Sequence, residues 1–222
     1  MDLGPPHYTT KEYESSLYQL SQIGKFLGGD TATYWAFDQL SKPPLSILEV
    51  GCGGGLFSLK LAARYPKAQI SGIDISKEAV AFANERLNES KLKPSNVHFF
   101  VPSNLSLKSL EKTYDVITTT LVCHHLTNEE LVQFISDACS IVKNEIIIND
   151  LHRHPIAAFG FFLLSPFFNR MVRHDGQISI RRAFKKKDWQ EIMIAAGIEK
   201  KRFQISWHWP FRWIVRIKND CA

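Results

Sequence analysis

The stretch from Leu45 to Gly55 restricts the fold more than any other part of this chain. Leu45-Ser46-Ile47-Leu48-Glu49-Val50 is a short apolar run with an acid near its end, and Gly51-Cys52-Gly53-Gly54-Gly55 follows it directly. Glycines accept the sharp turn that other residues resist, and they let a ligand come close to the backbone. Leu56-Phe57-Ser58-Leu59 then begins a helical pattern, and a second apolar run, Ile70 to Ile75, carries Asp74 near its end. A strand, a glycine turn, a helix and an acid-tipped strand make the nucleotide-binding half of a doubly wound sheet. The acid is placed to accept hydrogen bonds from ribose hydroxyls.

The rest of the chain extends this pattern. Tyr13, Ser16, Leu17, Leu20, Ile23 and Gly24 share a helical face that Gly28-Gly29 ends, and Asp30 or Thr31 caps a second helix to about Leu40. Strands are expected at 45–50, 69–74, 97–101, 115–120 and 145–150. Helices are expected at about 55–65, after Ser76, and after Thr127-Asn128-Glu129-Glu130. Residues 151–177 read as an insertion before a helix at about 187–196, which Gly197 terminates and Lys185-Lys186-Lys187 opens. Runs at 200–206 and 213–218 form an antiparallel pair. The alternation predicts an α/β chain with a Rossmann-like, doubly wound sheet of seven strands, mostly parallel, with an antiparallel C-terminal strand pair. At 222 residues and 45% apolar content, one domain spanning 1–222 is expected, with a helical cap at 1–44 and a substrate-side insertion at 151–186.

The spacing of the glycine turn narrows the ligand. A dinucleotide loop reads G-x-G-x-x-G and a triphosphate loop G-x-x-x-x-G-K-[ST]; this chain reads E-x-G-x-G-G-G without that lysine. The pattern resembles motif I of the class I S-adenosylmethionine (SAM) methyltransferases. The resemblance implies that Glu49, Gly51, Cys52 and Gly53 hold the methionyl part of SAM, and that Asp74, with Ile75 beside it, holds the ribose. The run from Tyr114 through Leu121-Val122-Cys123-His124-His125-Leu126 resembles motif IV of the small-molecule branch. Ubiquinone and menaquinone C-methyltransferases carry a similar His-His-Leu turn, and Leu121 falls at the cofactor. The Asn/Asp-Pro-Pro-Tyr/Phe sequence of members that methylate nucleic-acid amines is absent, which counts against such an acceptor. After strand three the family usually has Gly-Asp. This chain has Val101-Pro102-Ser103-Asn104, so Ser103 or Asn104 stands in for the acid that accepts from the adenine amine.

Ligands of such sheets sit at the carboxyl ends of the strands, and two polar clusters fall there. His125 is a candidate general base, since imidazole titrates near neutrality; a structural turn residue packing on the cofactor edge is the other reading. Asp150 and His152 are candidates for an acid-oriented base pair, against a capping Asp150 and a solvated His152. The segment Asn149-Asp150-Leu151-His152-Arg153, with His174 to Phe184, resembles a bacterial subgroup of small-molecule methyltransferases, some linked to polyketide or aromatic products. Between those motifs, residues 159–168 hold five phenylalanines. They suit a helix buried in the fold, a lid over a lipophilic or aromatic acceptor, or an interface with a partner or a membrane. Trp207, Trp209, Phe211 and Trp213, with Arg212 and Arg216 between them, read as strand-to-strand packing or as a surface for single-stranded nucleic acid.

Charge and cysteines bound the remaining classes. Residues 151–222 carry 14 Lys/Arg and 5 Asp/Glu, against +5 for the whole chain. This basic third is either a solvated surface or a face for acidic lipid, nucleic acid or an anionic substrate. Cys52, Cys123, Cys139 and Cys221 show no C-x-x-C spacing and read as reduced thiols in a cytoplasmic protein, with no metal site. The first residues lack a signal-peptide pattern, and the longest uncharged apolar segment, 155–169, is too short to span a bilayer. The expectation is an enzyme that moves the methyl group of SAM to a small lipophilic or aromatic molecule, with O-methylation ahead of C-methylation. Peripheral membrane contact stays open. The alternatives are an RNA methyltransferase using the basic third and a non-catalytic SAM-binding protein of the same fold.

Overall fold

Seven short, mostly apolar runs pair into one sheet in the computed structural model of this chain. The structure describes residues 29–90 and 94–219, together with Glu12, Ser15, Ser16, Tyr18 and Gln19. Of the first expected helical face, Tyr13, Leu17, Leu20, Ile23, Gly24 and Gly28 lie outside the described residues, as does Cys221. The strands are β1 (Ser46–Val50), β2 (Gln69–Ile73), β3 (Val97–Phe100), β4 (Tyr114–Thr120), β5 (Val142–Leu151), β6 (Phe203–His208) and β7 (Arg212–Lys218). Their order across the sheet is β3-β2-β1-β4-β5-β7-β6. The first five pair in parallel, and β7 runs antiparallel between β5 and β6. The chain therefore reverses its direction of travel across the sheet between β1 and β4, and a doubly wound sheet opens its binding crevice at such a point.

The helices are α1 (Gly29–Asp38), α2 (Leu56–Arg64), α3 (Lys77–Glu89), α4 (Asn128–Ile141), α5 (Pro155–Leu164), α6 (Arg170–Arg182) and α7 (Lys186–Ala195). Local chemistry sets their starts. The Ser76 hydroxyl accepts from Ala79 N at 3.1 Å to open α3. Thr127 and Glu130 form a reciprocal capping box on α4. One boundary differs in kind from the expectation: Gly29 is the first residue of α1, where it was read as the end of the preceding segment.

Strand alternation sorts side chains onto two faces. Ile47, Val116, Ile147 and Ile214 meet α1 and α2 through Ala32, Ala36, Phe37, Leu61 and Ala62. Leu48, Ile117, Ile146, Ile148 and Val215 meet α4 and α7 through Leu131, Ile135, Trp189 and Met193. Burial on both faces explains why the central strands read as continuous apolar runs. Polar ties fix α1 over the carboxyl end of β5: the buried Asn149 amide donates to Gly29 O at 2.8 Å and to Thr33 Oγ1 at 2.7 Å. Further along, Arg216 on β7 donates from Nε and Nη2 to the two carboxylate oxygens of Glu145 on β5, and from Nη2 to Gln39 O at 3.2 Å.

The insertion after β5 folds as two helices, α5 and α6. None of the residues of α5 is buried, which overturns the reading of the phenylalanine segment as a core helix. No helix among the described residues is long and apolar enough to cross a membrane.

Candidate active site

The β1 turn is tied down by β2. Gly51 N and Cys52 N both donate to Ile73 O, at 2.8 and 2.9 Å. Gly51 has a φ of 72°, and a Cβ there would sit 2.3 Å from Val122 Cγ2. Glycine is thus required twice, for the backbone angle and for the approach of the β4 turn. Asp74, just past β2, bridges two loops. Its Oδ2 accepts from Gly53 N at 2.8 Å, and its Oδ1 accepts from Ser76 N at 2.9 Å. Each carboxylate oxygen keeps a second lone pair, and Ile75 beside it is 70% exposed.

Glu49 lies under this turn, 3% exposed. It accepts a hydrogen bond from the Ser58 hydroxyl. Burial pushes its carboxyl up to about 8, and the charges of Asp30 and Asp74 push the same way against the Ser58 bond. Burial, then Asp30, also raises Tyr34 to about 12. Burial drives the Cys52 thiol far above its usual range, so it is no nucleophile.

The same face of the sheet continues as a polar row beneath α1. The register pairs Glu49 with Thr118, and Thr120 with Asn149. The hydroxyls of Thr118 and Thr120 are buried without a hydrogen-bond partner, as is Arg212 Nε. Arg212 pairs with Leu151 across β5 and β7 and is 2% exposed. Buried groups left unmade cost about 1–3 kcal/mol each, so such a row points to a polar ligand. Neither sequence reading of Arg212, strand packing or a surface for single-stranded nucleic acid, places it at this crevice. The signal that marks it is Arg at 212 and 216, cations that alternate with Ile214 on one face of the strand.

At the end of β4, Leu121 takes the left-handed conformation, with φ of 60°. Such a backbone is costly for a non-glycine residue and marks sites that the surroundings over-determine. Its N–H donates to Asn149 O at 2.9 Å. The turn Cys123–His125 follows, and there the expected pairing is corrected. Asp150 does not orient His152. It is buried against His124, whose Nδ1 lies 2.6 Å from Asp150 Oδ1, and it also accepts from His124 N at 3.2 Å and Leu151 N at 2.6 Å. The parallel register carries the residues after Thr120 alongside Asp150, whereas His152 leads out of the strand. The His125 ring stands 4.2 Å from that of His124, centroid to centroid, and is half-buried.

His152 belongs instead to an aromatic cluster. Its ring lies 4.9 Å from Trp213 and 5.2 Å from His154. Trp207 Nε1 donates to its Nδ1 at 3.2 Å. An indole nitrogen only donates, so Nδ1 is the acceptor and Nε2 carries the proton. Burial, then the His154 and Lys185 charges, lowers its pKa. Beyond β3, Ser103 and Asn104 are exposed, and Asn104 Oδ1 already accepts from Ser106 N at 2.9 Å.

The crevice between β1 and β4 thus offers the Asp74 carboxyl, the buried Glu49 carboxyl and unpartnered hydroxyls. A cationic amino-acid nucleoside such as SAM fits all three. The strand order and this crevice are similar to those of class I, SAM-dependent methyltransferases. Residues 47–145 match the family model described as a methyltransferase domain. The chain is 42% identical over 77 residues to malonyl-[acyl-carrier protein] O-methyltransferase 1 of Ilyobacter polytropus, a match covering 35% of this chain and 27% of that protein. It is 28% identical over 146 residues to the malonyl-[acyl-carrier protein] O-methyltransferase of Bacillus anthracis, covering 66% of this chain and 46% of that protein. These matches span less than half the length of either relative. Among solved structures, the plantazolicin methyltransferase BpumL in complex with SAH superimposes with a TM-score of 0.70 at 20% identity, covering 97% of this chain and 91% of that one.

Proposed function

We propose that this chain transfers the methyl group of SAM to an oxygen of a small lipophilic or aromatic acceptor. The observation that carries the reading is the contrast between the two sides of the crevice. The β1–β2 side is polar and carries buried acid, while His152, Trp213, Phe211 and His154 put an aromatic wall at the end of β5. The O-methyltransferases among the relatives favour oxygen over carbon.

In this reading Glu49 and the backbone of Gly51, Cys52 and Gly53 hold the amino-acid end of the donor, and Asp74 holds the ribose. Ile75 packs on the adenine edge. Ser103 accepts from the adenine amine, because the oxygen of Asn104 is engaged by its own turn. Leu121 closes the crevice. The donor supplies an already activated methyl group when bound, so the protein has mainly to align the acceptor and exclude water. His125 takes the acceptor proton. The buried Asp150–His124 pair is a positioning device that fixes the turn bearing His125. His152, with Nδ1 occupied by Trp207, is a poor base and acts as an Nε2–H donor to the acceptor.

The test is a methyl-transfer screen with labelled SAM against phenols, quinones, carboxylic acids and RNA. Label on a phenol or carboxylic acid supports the reading. Label on RNA alone gives the basic third the leading role, and absence of SAM affinity, unchanged by Asp74→Ala, sinks the whole assignment.

A further inference from the structure

A broad apolar surface lies outside the cofactor crevice. Ile156, Phe159, Phe162, Leu163, Leu164 and Phe167 are between 45% and 82% exposed. They come from α5 and the short turn after it, which carry no charged side chain. Phe161 is the phenylalanine of α5 turned inward. Its ring stacks on Phe168 at 5.8 Å and fills the space over Gly176, where a Cβ would meet it at 2.2 Å. The other rings of the helix therefore face away from the fold.

The β6–β7 turn extends this surface. Trp207 and Trp209 are 45% and 72% exposed. The turn sits against the start of α5, because His154, which caps the helix, stacks on Phe211 at 5.1 Å. Exposed cations border the apolar side chains: Arg170 and Arg173 just after Phe167, and, paired with Asp188 at 2.8 Å, Arg153 before α5. An apolar face of this extent on a protein surface marks an interaction site.

We propose that α5 and the β6–β7 turn dock on a bilayer surface that carries anionic lipid, with α5 lying in the headgroup region parallel to the membrane. Three observations select this occupant. The helix has ten residues, about 15 Å at 1.5 Å per residue, half of the roughly 30 Å hydrocarbon core. It therefore lies on the membrane and does not cross it. Exposed tryptophans beside it match the side chain that favours the water–lipid boundary. The arginine border, in a C-terminal third with nine more cations than anions, is attracted by anionic headgroups. Two copies of the same face would bring these arginines against one another, which disfavours a self-dimer.

The experiment is co-sedimentation of the full chain with phosphatidylcholine vesicles, with and without phosphatidylglycerol. Binding is expected to rise with phosphatidylglycerol and fall with added salt. Phe162→Asp, and separately Trp209→Ser, should each weaken partitioning about tenfold or more, since burying one large apolar side chain is worth about 1.5–3 kcal/mol. Both variants should keep wild-type affinity for S-adenosylhomocysteine, which shows that the fold is intact. Failure to bind either vesicle, or binding that both variants retain, overturns the proposal. So does a dimer in sedimentation velocity that Phe162→Asp abolishes while vesicle binding is absent, which assigns the face to a second copy. Vesicle binding requires no methyl transfer, so this result stands apart from the acceptor screen.

Discussion

Glu49→Gln isolates the least comfortable group in the crevice. In the folded chain the Glu49 carboxyl titrates at about 8, against 4.5 when unperturbed. Between those values the folded state holds a proton that the unfolded state has released, so stability falls as pH rises through the window. The slope is about 1.4 kcal/mol per pH unit, and the full penalty above pH 8 is on the order of 5 kcal/mol. Glutamine is neutral at every pH and can still accept from Ser58. The assay is urea unfolding of both proteins, without cofactor, at about one-unit steps from pH 5 to pH 9. The variant should gain on the wild type by about 1.4 kcal/mol per unit up to pH 8 and then hold constant. A cationic donor should draw Glu49 into its ionised form, so binding of SAM at pH 7 should release close to one proton in the wild type and none in the variant. Calorimetry in buffers of different ionisation enthalpy reads that number. A stability difference that does not change with pH refutes the reasoning, because Glu49 would then be ionised throughout.

Four further substitutions test the neighbouring parts. Gly51→Ala places a Cβ 2.3 Å from Val122 Cγ2 and forces a left-handed alanine, so a loss of about 1–2 kcal/mol from the backbone alone is expected in thermal unfolding, with weaker S-adenosylhomocysteine binding. His124→Ala strands the Asp150 carboxylate in the core and should cost about 3–5 kcal/mol in urea unfolding; a loss under about 0.5 kcal/mol would remove the positioning role. His125→Gln should lower kcat by about 10²–10⁴ and abolish the acid limb of its pH profile, whereas His152→Gln should cost about tenfold or less. The reverse ranking would move the base to the aromatic cluster.

The first strand–turn–helix–strand unit was legible because it is encoded within one short span. Glu49, Gly51, Gly53 and Asp74 fall in a single strand–turn–helix–strand unit, and the backbone angles such a turn demands leave a glycine pattern in the sequence. The capping residues Ser76 and Thr127 were legible for the same reason, since a cap is a contact across three residues. The exposed face of α5 was not. Periodicity cannot tell a helix apolar on all sides that is buried from one that lies on the surface, because the difference is in what surrounds it. Arg212 was missed for a related reason. Its burial depends on β7 inserting between β5 and β6, a placement that no local pattern announces.

The pairing of Asp150 shows how a non-local register decides chemistry. Asp150 and His152 are two residues apart, one at the end of β5 and one just past it, and that spacing invites the idea of a dyad. Side chains at such spacing stand about 7 Å apart along an extended strand, beyond hydrogen-bond reach. The neighbour that does reach Asp150 comes from the adjacent strand. Thr120 pairs with Asn149, and the bend at Leu121 turns the next residues back over the end of β5, delivering His124 to Asp150. Both partners are almost wholly buried, so the pair cannot itself receive a bulky acceptor. Its consequence is geometric: it ties the turn between β4 and α4, which carries the half-buried His125 next in the chain, to the end of β5.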